Sequence, residues 1–188
     1  AVREPGALLQ MIQDSQISIL EVVPSLMQAI LDEPMVQGLS AETELKSLRW
    51  IMPTGEALPP NTARAWFSQY PNIPLMNAYG PAECADDVAF APLTEAPCES
   101  LTNMSIGYPT ANAVLHVLDN ALNRVPVGVI GELAVAGIGV GRGYRQDPQR
   151  TAAVFVPNPF ESTSSCENGF CEKGSRLYLT GDLVKRLS

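Results

Sequence analysis

The stretch LRWIMPTGEALPPNTARAWFSQYPNIPLMNAYGPAEC, residues 48–84, predicts a strand, a helix and a second strand in succession. Residues 48–52 are a short apolar run, and two prolines followed by Asn61, the candidate N-cap, open a helix that continues through Tyr70. The next apolar run, IPLMNAY, predicts a strand that ends near Asn77. Strands separated by helices imply right-handed crossovers, and hence a mainly parallel sheet.

The residues before this stretch continue the same alternation. Residues 6–14, GALLQMIQD, have helical apolar spacing, and residues 17–23 are a β-branched run typical of a buried strand. A further helix, SLMQAIL, follows with Ser25 as its candidate N-cap. The first half of the chain therefore predicts an α/β fold.

Three polar, turn-like segments fall where these strands end. They are residues 21–24, 53–56 and 77–83. Because ligands of open α/β sheets bind beyond the carboxyl ends of the strands, the three segments point to one shared site.

The second half of the chain has a different pattern. From Ile106 onward, short apolar alternation is broken by Gly and Pro, which predicts antiparallel strands in a small barrel or curled sheet. A short helix, PQRTAAVF, is expected to begin at Asp147 and Pro148. The boundary between the two halves is expected within residues 92–101.

Composition excludes some classes of protein. The formal net charge is −8, which argues against a nucleic-acid partner. No apolar run approaches the roughly 20 residues that span a bilayer, and no signal-peptide pattern is present, so we expect a cytoplasmic protein that does not bind membranes. Both ends of the sequence look cut from a longer chain. The pair Cys166 and Cys171 is interpreted as reduced thiols rather than a metal site, because the single His116 is far away in sequence.

NAYGPAEC, residues 77–84, has the chemistry of a nucleotide site. Asn77 can donate and accept at a base edge, and Tyr79 offers a flat face for stacking. Gly80 lets the backbone approach phosphate, and Glu83 is a hard oxygen ligand suited to Mg²⁺. Taken alone, the segment is slightly better explained as a strand, a Gly-Pro turn and an exposed glutamate.

Three further segments carry candidate residues. Gly55 in PTGEALPP permits close ligand approach or a positive φ, although an ordinary strand-to-helix turn explains that segment as well. Asp182 in YLTGDLV follows a Gly turn and can accept both hydroxyls of a ribose, or can cap local backbone. In GELAVAGIGVGRGY, residues 131–144, no helix follows the glycines, so they are interpreted as bulges and barrel bends. Arg142 and Tyr144 are the candidate exceptions.

Together and in this order, these segments resemble the adenylation domains of nonribosomal peptide synthetases, within the superfamily that also holds acyl-CoA ligases and luciferases. The matching stretches are LRWIMPTGEALPP, NAYGPAE, IGYPTANAVLHVLD, VPVGVIGELAVAGIGVGRGYRQDP, TAAVFVPNPF and LYLTGDL. The resemblance implies that residues 1–98 are the α/β part of the large sandwich subdomain and that residues 99–188 are a β-barrel-like subdomain. The phosphate loop and the C-terminal lid of the family are absent.

The resemblance also implies a reaction in two steps. ATP and an amino acid give an aminoacyl-adenylate and pyrophosphate with the help of Mg²⁺, and the acyl group then passes to the phosphopantetheine thiol of a peptidyl carrier domain. An MbtH-like protein is a further implied partner. Glu83 would hold Mg²⁺ as the catalytic residue, and the remaining nucleotide-binding positions would be Gly55, Glu56, Ala57, Asn77, Ala78, Tyr79, Gly80, Ala82 and Asp182. Gly55 and Glu56 would flank the adenine, Asn77 would bond its amino edge, Tyr79 would stack on it and Asp182 would bind the ribose.

By the same resemblance, six positions would face the substrate side chain. Three of the six are acidic, which suggests a cationic or hydrogen-bonding substrate, although Asp86 and Asp87 can equally face water or pair elsewhere. The six positions are Glu21, Met52, Thr54, Ala78, Asp86 and Asp87.

Departures from the family pattern leave two alternatives open. Ala82 replaces the usual threonine, and Gly141 replaces a frequent alanine. Because the phosphate loop and the C-terminal lid are missing, we expect the isolated chain to catalyse little or no adenylation. An acyl- or aryl-CoA ligase would share the NAYGPAE-like and TGD motifs. A catalytically silent binding or scaffolding module is the third reading.

Overall fold

The structure, a computed structural model, describes residues 5–32, 45–160 and 175–187. The chain forms two compact units, of which the first comprises Ala1–Tyr79 and Ala89–Tyr108 and the second comprises Gly80–Val88 and Pro109–Ser188. The sequence predicts a single domain boundary after residue 98, and this stays a prediction. The contacts assign the short segment Gly80–Val88 to the second unit.

A mixed sheet of five strands organises the first unit. The strands run in the order β1-β2-β3-β4-β5, with β1, β2 and β3 parallel and β4 antiparallel to β3, which confirms the mainly parallel sheet. The elements are α1 (Pro5–Asp14), β1 (Ile19–Val22), α2 (Pro24–Asp32), β2 (Trp50–Pro53), α3 (Pro60–Gln69), β3 (Leu75–Tyr79), β4 (Ala89–Leu93) and β5 (Tyr108–Pro109).

One face of this sheet carries the core of the unit. Residues of α1, α2 and α3 cluster with alternate residues of the strands, Val22, Ile51 and Leu75. Trp66 in α3 is fully buried, and its indole nitrogen donates to the carbonyl oxygen of Ile73 at 2.9 Å. Because strand side chains alternate between faces, Ile19, which is 53 % exposed, lies on the other, more open face.

Both N-caps predicted in this unit are wrong, for one physical reason. α2 begins at Pro24 and α3 begins at Pro60, each one residue before the predicted cap, Ser25 or Asn61. The fixed φ of proline suits the first helical position, and its missing N–H costs nothing there. The proline therefore takes that position, and the polar residue falls inside the helix.

The second unit is built on an antiparallel sheet of four strands in the order β6-β7-β9-β8, which confirms the antiparallel second half. Its elements are a 3₁₀ turn (Ala82–Cys84), β6 (Ala113–Leu118), β7 (Ile130–Gly137), α4 (Pro148–Val154), β8 (Phe155–Pro157) and β9 (Arg176–Lys185). The helix predicted at Asp147 is confirmed, since the Asp147 carboxylate accepts the backbone N–H of Arg150 as an N-cap. One apolar core cluster of this unit consists of Leu118, Ala134, Ala136 and Leu177.

Two further predictions concern membranes and thiols. No helix within residues 5–32, 45–160 and 175–187 is long and apolar enough to cross a membrane. Cys84 is a buried free thiol and Cys98 an exposed one, whereas Cys166 and Cys171 lie outside the described residues.

Candidate functional site

The first two strands of the parallel sheet end side by side. Glu21 pairs with Met52, and the backbone N–H of Thr54, just after β2, donates to the carbonyl oxygen of Val22 at 3.0 Å. Gly55 follows with a φ of +78°, as its sequence position predicts. The structure therefore brings together four of the predicted site residues of the first unit.

Glu56 fixes the loop after β2 to the beginning of α2. Its carboxylate accepts the backbone N–H of Ser25 at one oxygen and the hydroxyl of Ser25 at the other, both at 3.0 Å. The first backbone N–H groups of a helix have no partner within the helix, so this carboxylate replaces the missing cap. Glu56 and Ala57 are both exposed beside it.

The end of β3 holds the predicted base-recognition residues. Asn77 is buried at 4 % exposure, and its Nδ2 donates to the carbonyl oxygen of Ser105 at 2.7 Å. This bond fixes the orientation of the amide. Tyr79 is half-buried on the same face of β3 as Asn77, whereas Ala78 is buried on the opposite face. The strand extends to Tyr79, two residues past its predicted end.

Gly80 begins a tight loop, residues 80–88, that belongs to the second unit. A Cβ atom at Gly80 would lie 1.8 Å from the carbonyl oxygen of Asp86, so the chain's own backbone requires glycine there. Ala85 and Asp86 have φ values of +61° and +68°, a left-handed conformation that is costly for residues with side chains. Ala82 and Asp86 are exposed.

A cavity of about 200 Å³ adjoins this loop within the second unit. It is lined by Cys84 and Asp87, together with residues from the region around β6 and β7. Burial, and secondarily the charge of Glu83, raises the pKa of the Cys84 thiol to about 12, so this thiol stays protonated and unreactive. Ligand pockets typically have volumes of about 300–1,000 Å³, so this cavity is small for one.

The loop presents Glu83 to the hydroxyl of Tyr144. The Tyr144 hydroxyl donates to Oε1 of Glu83 at 2.5 Å, and this hydrogen bond is the main reason that the pKa of Glu83 is lowered; burial opposes the shift. Tyr178 and the charge of Arg150 lower the pKa further. Burial raises the pKa of Tyr178 above its ordinary value, so its phenol stays protonated. The site is therefore an ionised carboxylate that accepts a hydrogen bond from the Tyr144 hydroxyl.

Asp182 lies in a β-bulge rather than in the predicted turn. On β9, Leu179 pairs with Ala134 and Leu183 pairs with Glu132, so three residues of β9 face a single residue of β7. The Thr180 hydroxyl bonds the carbonyl oxygen of Leu133 at 2.7 Å and accepts the backbone N–H of Asp182 at 3.1 Å. Bulges re-aim side chains and are common beside active sites, and Asp182 is exposed here.

Similarity to known proteins shows the family to which this chain belongs. The model of the AMP-binding enzyme family matches residues 1–145. The chain belongs to the AMP-binding enzyme family.

Relatives within this family are nonribosomal peptide synthetases. The chain is 37 % identical to indigoidine synthase of Dickeya dadantii (strain 3937) over 97 % of its own length and 11 % of that protein. It is 35 % identical to tyrocidine synthase 3 of Brevibacillus parabrevis over 98 % of its own length and 2 % of that protein. These matches confirm the resemblance to nonribosomal peptide synthetases, of which the chain spans a small part.

A solved structure agrees. The nonribosomal peptide synthetase FmoA3, in its alpha-methyl-L-serine-AMP bound form, matches with a TM-score of 0.82 and 28 % identity. The match covers 99 % of the chain and 19 % of FmoA3. The mixed α/β fold with a separate antiparallel sheet is therefore that of an adenylation domain.

A magnesium ion in an AMP-binding enzyme needs few protein ligands. Within residues 5–32, 45–160 and 175–187, no group of three His, Cys, Asp or Glu side chains could hold a metal. Mg²⁺ at a nucleotide usually takes one or two carboxylates and completes its shell with phosphate oxygens and water. An ionised Glu83 fits that requirement.

Sequence patterns missed part of this site. No local pattern indicates Tyr178, and Tyr144 is a candidate only as an exception among the glycines. The separation between Glu83 and Tyr144 is 61 residues, so no local pattern reveals their contact. The feature of the sequence that points to these tyrosines is that both stand beside motifs of the AMP-binding family.

Proposed function

We propose that the chain is part of an adenylation domain that activates an amino acid in nonribosomal peptide synthesis. In the first step, a carboxylate oxygen of the amino acid attacks the α-phosphorus of ATP, and pyrophosphate leaves. In the second step, the phosphopantetheine thiol of a carrier domain attacks the acyl carbon, and AMP leaves. The observation that carries the proposal is the similarity to peptide synthetases over at least 97 % of the chain.

Adenine recognition is assigned to the strand ends of the first unit. Because Nδ2 of Asn77 donates to Ser105, Oδ1 is the acceptor end of the amide and suits the amino group of adenine. The Tyr79 ring would provide a stacking surface, and Gly55 and Glu56, in the loop that Glu56 ties to Ser25, would flank the adenine. The remaining nucleotide positions in this assignment are Ala57, Ala78, Gly80 and Ala82.

Ribose binding is assigned to Asp182. Its two carboxylate oxygens suit two adjacent hydroxyl groups, as acidic residues do in other nucleotide sites. The bulge at Thr180 supports the assignment, because it gives Asp182 an exposed position inside an otherwise paired strand.

Charge stabilisation at the phosphates is assigned to Glu83. The residue would hold Mg²⁺, which neutralises negative charge on the phosphate oxygens during displacement. The hydrogen bond from the Tyr144 hydroxyl lowers the pKa of Glu83 and orients its carboxylate in advance, so little reorganisation is needed when charge develops. Ala82 lacks the hydroxyl that the family usually provides near the α-phosphate.

The amino acid side chain is assigned to six positions, of which Glu21 and Met52 are paired on the more open face of the sheet and Ala78 lies on the same face. Their acidic members favour a cationic or hydrogen-bonding substrate. The remaining positions are Thr54, Asp86 and Asp87.

The isolated chain is expected to be inactive. The phosphate loop and C-terminal lid of an adenylation domain lie outside it, so ATP would lack ligands for its phosphates. The other partners in the proposal are a peptidyl carrier domain and an MbtH-like protein. We also propose a cytoplasmic location, since the reaction consumes ATP and the described cysteines, Cys84 and Cys98, are free thiols.

Amino-acid-dependent exchange of pyrophosphate into ATP tests the proposal. The intact adenylation domain that contains this chain should catalyse exchange with one or a few amino acids, and the 188-residue chain should not. Exchange with aryl or fatty acids, followed by acyl transfer to free coenzyme A, would instead establish a CoA ligase. The absence of exchange with any carboxylic acid, together with no binding of AMP, would leave the silent binding module.

A further inference from the structure

We propose that Tyr144 is a positioning residue for Glu83, and that it sets how tightly the site binds a divalent cation. This inference rests on the proposed function, because it concerns the carboxylate assigned to Mg²⁺. The carrying observation is the hydrogen bond of 2.5 Å from the Tyr144 hydroxyl to Oε1 of Glu83, which bridges 61 residues of chain within the second unit.

Tyr144 is held both through its backbone and through its ring. Its backbone N–H donates to the hydroxyl of Thr151 at 2.9 Å, and that hydroxyl donates to the carbonyl oxygen of Asp147 at 2.7 Å. The guanidinium of Arg150 lies 4.2 Å from the centre of the ring, and Phe155 meets the ring edge-on at 5.6 Å. A side chain fixed in this way can transmit a defined position to the carboxylate that it contacts.

The backbone on both sides of the contact is fixed as well. The N–H of Gly141 donates to the carbonyl oxygen of Glu83 at 2.8 Å, and a Cβ atom at Gly141 would lie 2.9 Å from that oxygen. Arg176 in β9 donates in turn to the carbonyl oxygen of Gly141 at 3.0 Å. The glycine-rich segment before Tyr144 therefore holds Glu83 by its main chain while Tyr144 holds it by its side chain.

A carboxylate on a short 3₁₀ turn has two free torsions beyond Cβ that burial does not restrict here, because Glu83 is only half-buried. Hydrogen-bonded partners of metal ligands orient those ligands, and their removal typically weakens metal binding by about 10- to 100-fold. Tyr144 meets that description by geometry.

The test compares Tyr144→Phe with Tyr108→Phe in the intact adenylation domain. Both changes remove one phenol oxygen, but Tyr108 is 81 % exposed and belongs to the first unit. Binding of Mn²⁺ in the presence of a non-hydrolysable ATP analogue is measured by electron paramagnetic resonance. We expect Tyr144→Phe to weaken Mn²⁺ binding about tenfold and Tyr108→Phe to change it less than twofold.

A kinetic readout separates positioning from folding. In Tyr144→Phe, the Mg²⁺ concentration for half-maximal pyrophosphate exchange should rise about tenfold, while the KM for the amino acid stays within twofold. A lowered Tm with unchanged Mn²⁺ binding and an unchanged Mg²⁺ requirement would overturn the proposal, since it would mean that Tyr144 only supports the fold. If Tyr144→Phe does not fold, Thr151→Ala, which removes the acceptor of the Tyr144 N–H, should weaken Mn²⁺ binding about threefold, and unchanged binding would overturn the proposal.

Glu83→Gln distinguishes failure of this inference from failure of the proposed function. If Glu83→Gln weakens Mn²⁺ binding strongly and Tyr144→Phe does not, the positioning role alone is wrong. If Glu83→Gln also leaves Mn²⁺ binding unchanged, the assignment of the cation to Glu83 is wrong, and the inference falls with it.

Discussion

The Glu56 carboxylate accepts both the backbone N–H and the hydroxyl of Ser25, each at 3.0 Å, across 31 residues of chain. A side chain from the loop after β2 therefore caps α2, a role that a residue just before the helix usually has. The same loop carries Gly55 and Glu56, two of the residues assigned to adenine, so the position of the loop depends on the beginning of that helix.

Removal of this distant cap should destabilise the chain. We expect Glu56→Ala to lower the free energy of unfolding by about 1 kcal/mol, the usual cost of a lost N-cap. Ser25→Ala should cost less, because the backbone N–H of residue 25 still donates to Glu56. Urea denaturation measures both changes, with Glu95→Ala, at an exposed glutamate of the same unit, as the control. Equal stability of Glu56→Ala and Glu95→Ala would show that the cap contributes nothing.

A methyl group at Gly80 should be far more costly than one at Gly128. At Gly80 a Cβ would lie 1.8 Å from the Asp86 carbonyl oxygen, whereas at Gly128 nothing lies within 4 Å and only its φ of +82° opposes a side chain. We expect Gly128→Ala to cost about 1 kcal/mol and Gly80→Ala about 3 kcal/mol or more. Similar losses of unfolding free energy for the two variants would contradict the close approach in residues 80–88.

The single imidazole of the chain should titrate below its ordinary pKa of 6.5. His116 is 7 % exposed and stacks on Phe160; burial lowers its pKa, and the charge of Arg124 lowers it further. Because the unfolded chain then binds the proton more readily, stability falls as pH drops below 6.5. NMR titration of the only imidazole resonance gives the pKa directly.

His116→Gln provides the matched stability measurement. The wild-type chain should lose stability more steeply than this variant between pH 7 and 5, by at most about 1.4 kcal/mol per pH unit, the limit for one proton. Carboxylates common to both proteins cancel in the comparison. Parallel pH profiles would mean that His116 has the same pKa in the folded and unfolded chains.

Local patterns predicted the elements better than their ends. The β-branched run at β1 and the apolar spacing of α1 are sufficient to predict these two elements, because each pattern lies within ten residues or fewer. The N-caps of α2 and α3 were misplaced because a proline occupies the first helical position. In α2 the free N–H is then satisfied by Glu56, 31 residues away, which no local rule detects.

The sequence indicates which residues are candidates for the site, by their side-chain chemistry, but it does not reveal the contacts that these residues make. Glu83 and Asp182 follow from their chemistry, but the bulge that exposes Asp182 depends on pairing between β7 and β9, which is specified far apart in the sequence. That Gly80 lets the backbone approach phosphate stays a prediction, and the close approach of the Asp86 carbonyl to Gly80 is a contact that the sequence does not reveal. The convergence of the adenine and ribose residues on one nucleotide stays a prediction.

The central claim is that this chain carries residues that bind the nucleotide, and calorimetric titration of AMP into the intact adenylation domain tests it most directly. Asp182→Asn, which loses the charge and keeps only one acceptor oxygen, and Tyr79→Leu, which loses the stacking surface, should each weaken AMP binding about tenfold. The control Asp14→Asn, at an exposed aspartate at the end of α1, should leave binding within twofold. AMP binding that is as tight in Asp182→Asn and Tyr79→Leu as in Asp14→Asn would contradict the account.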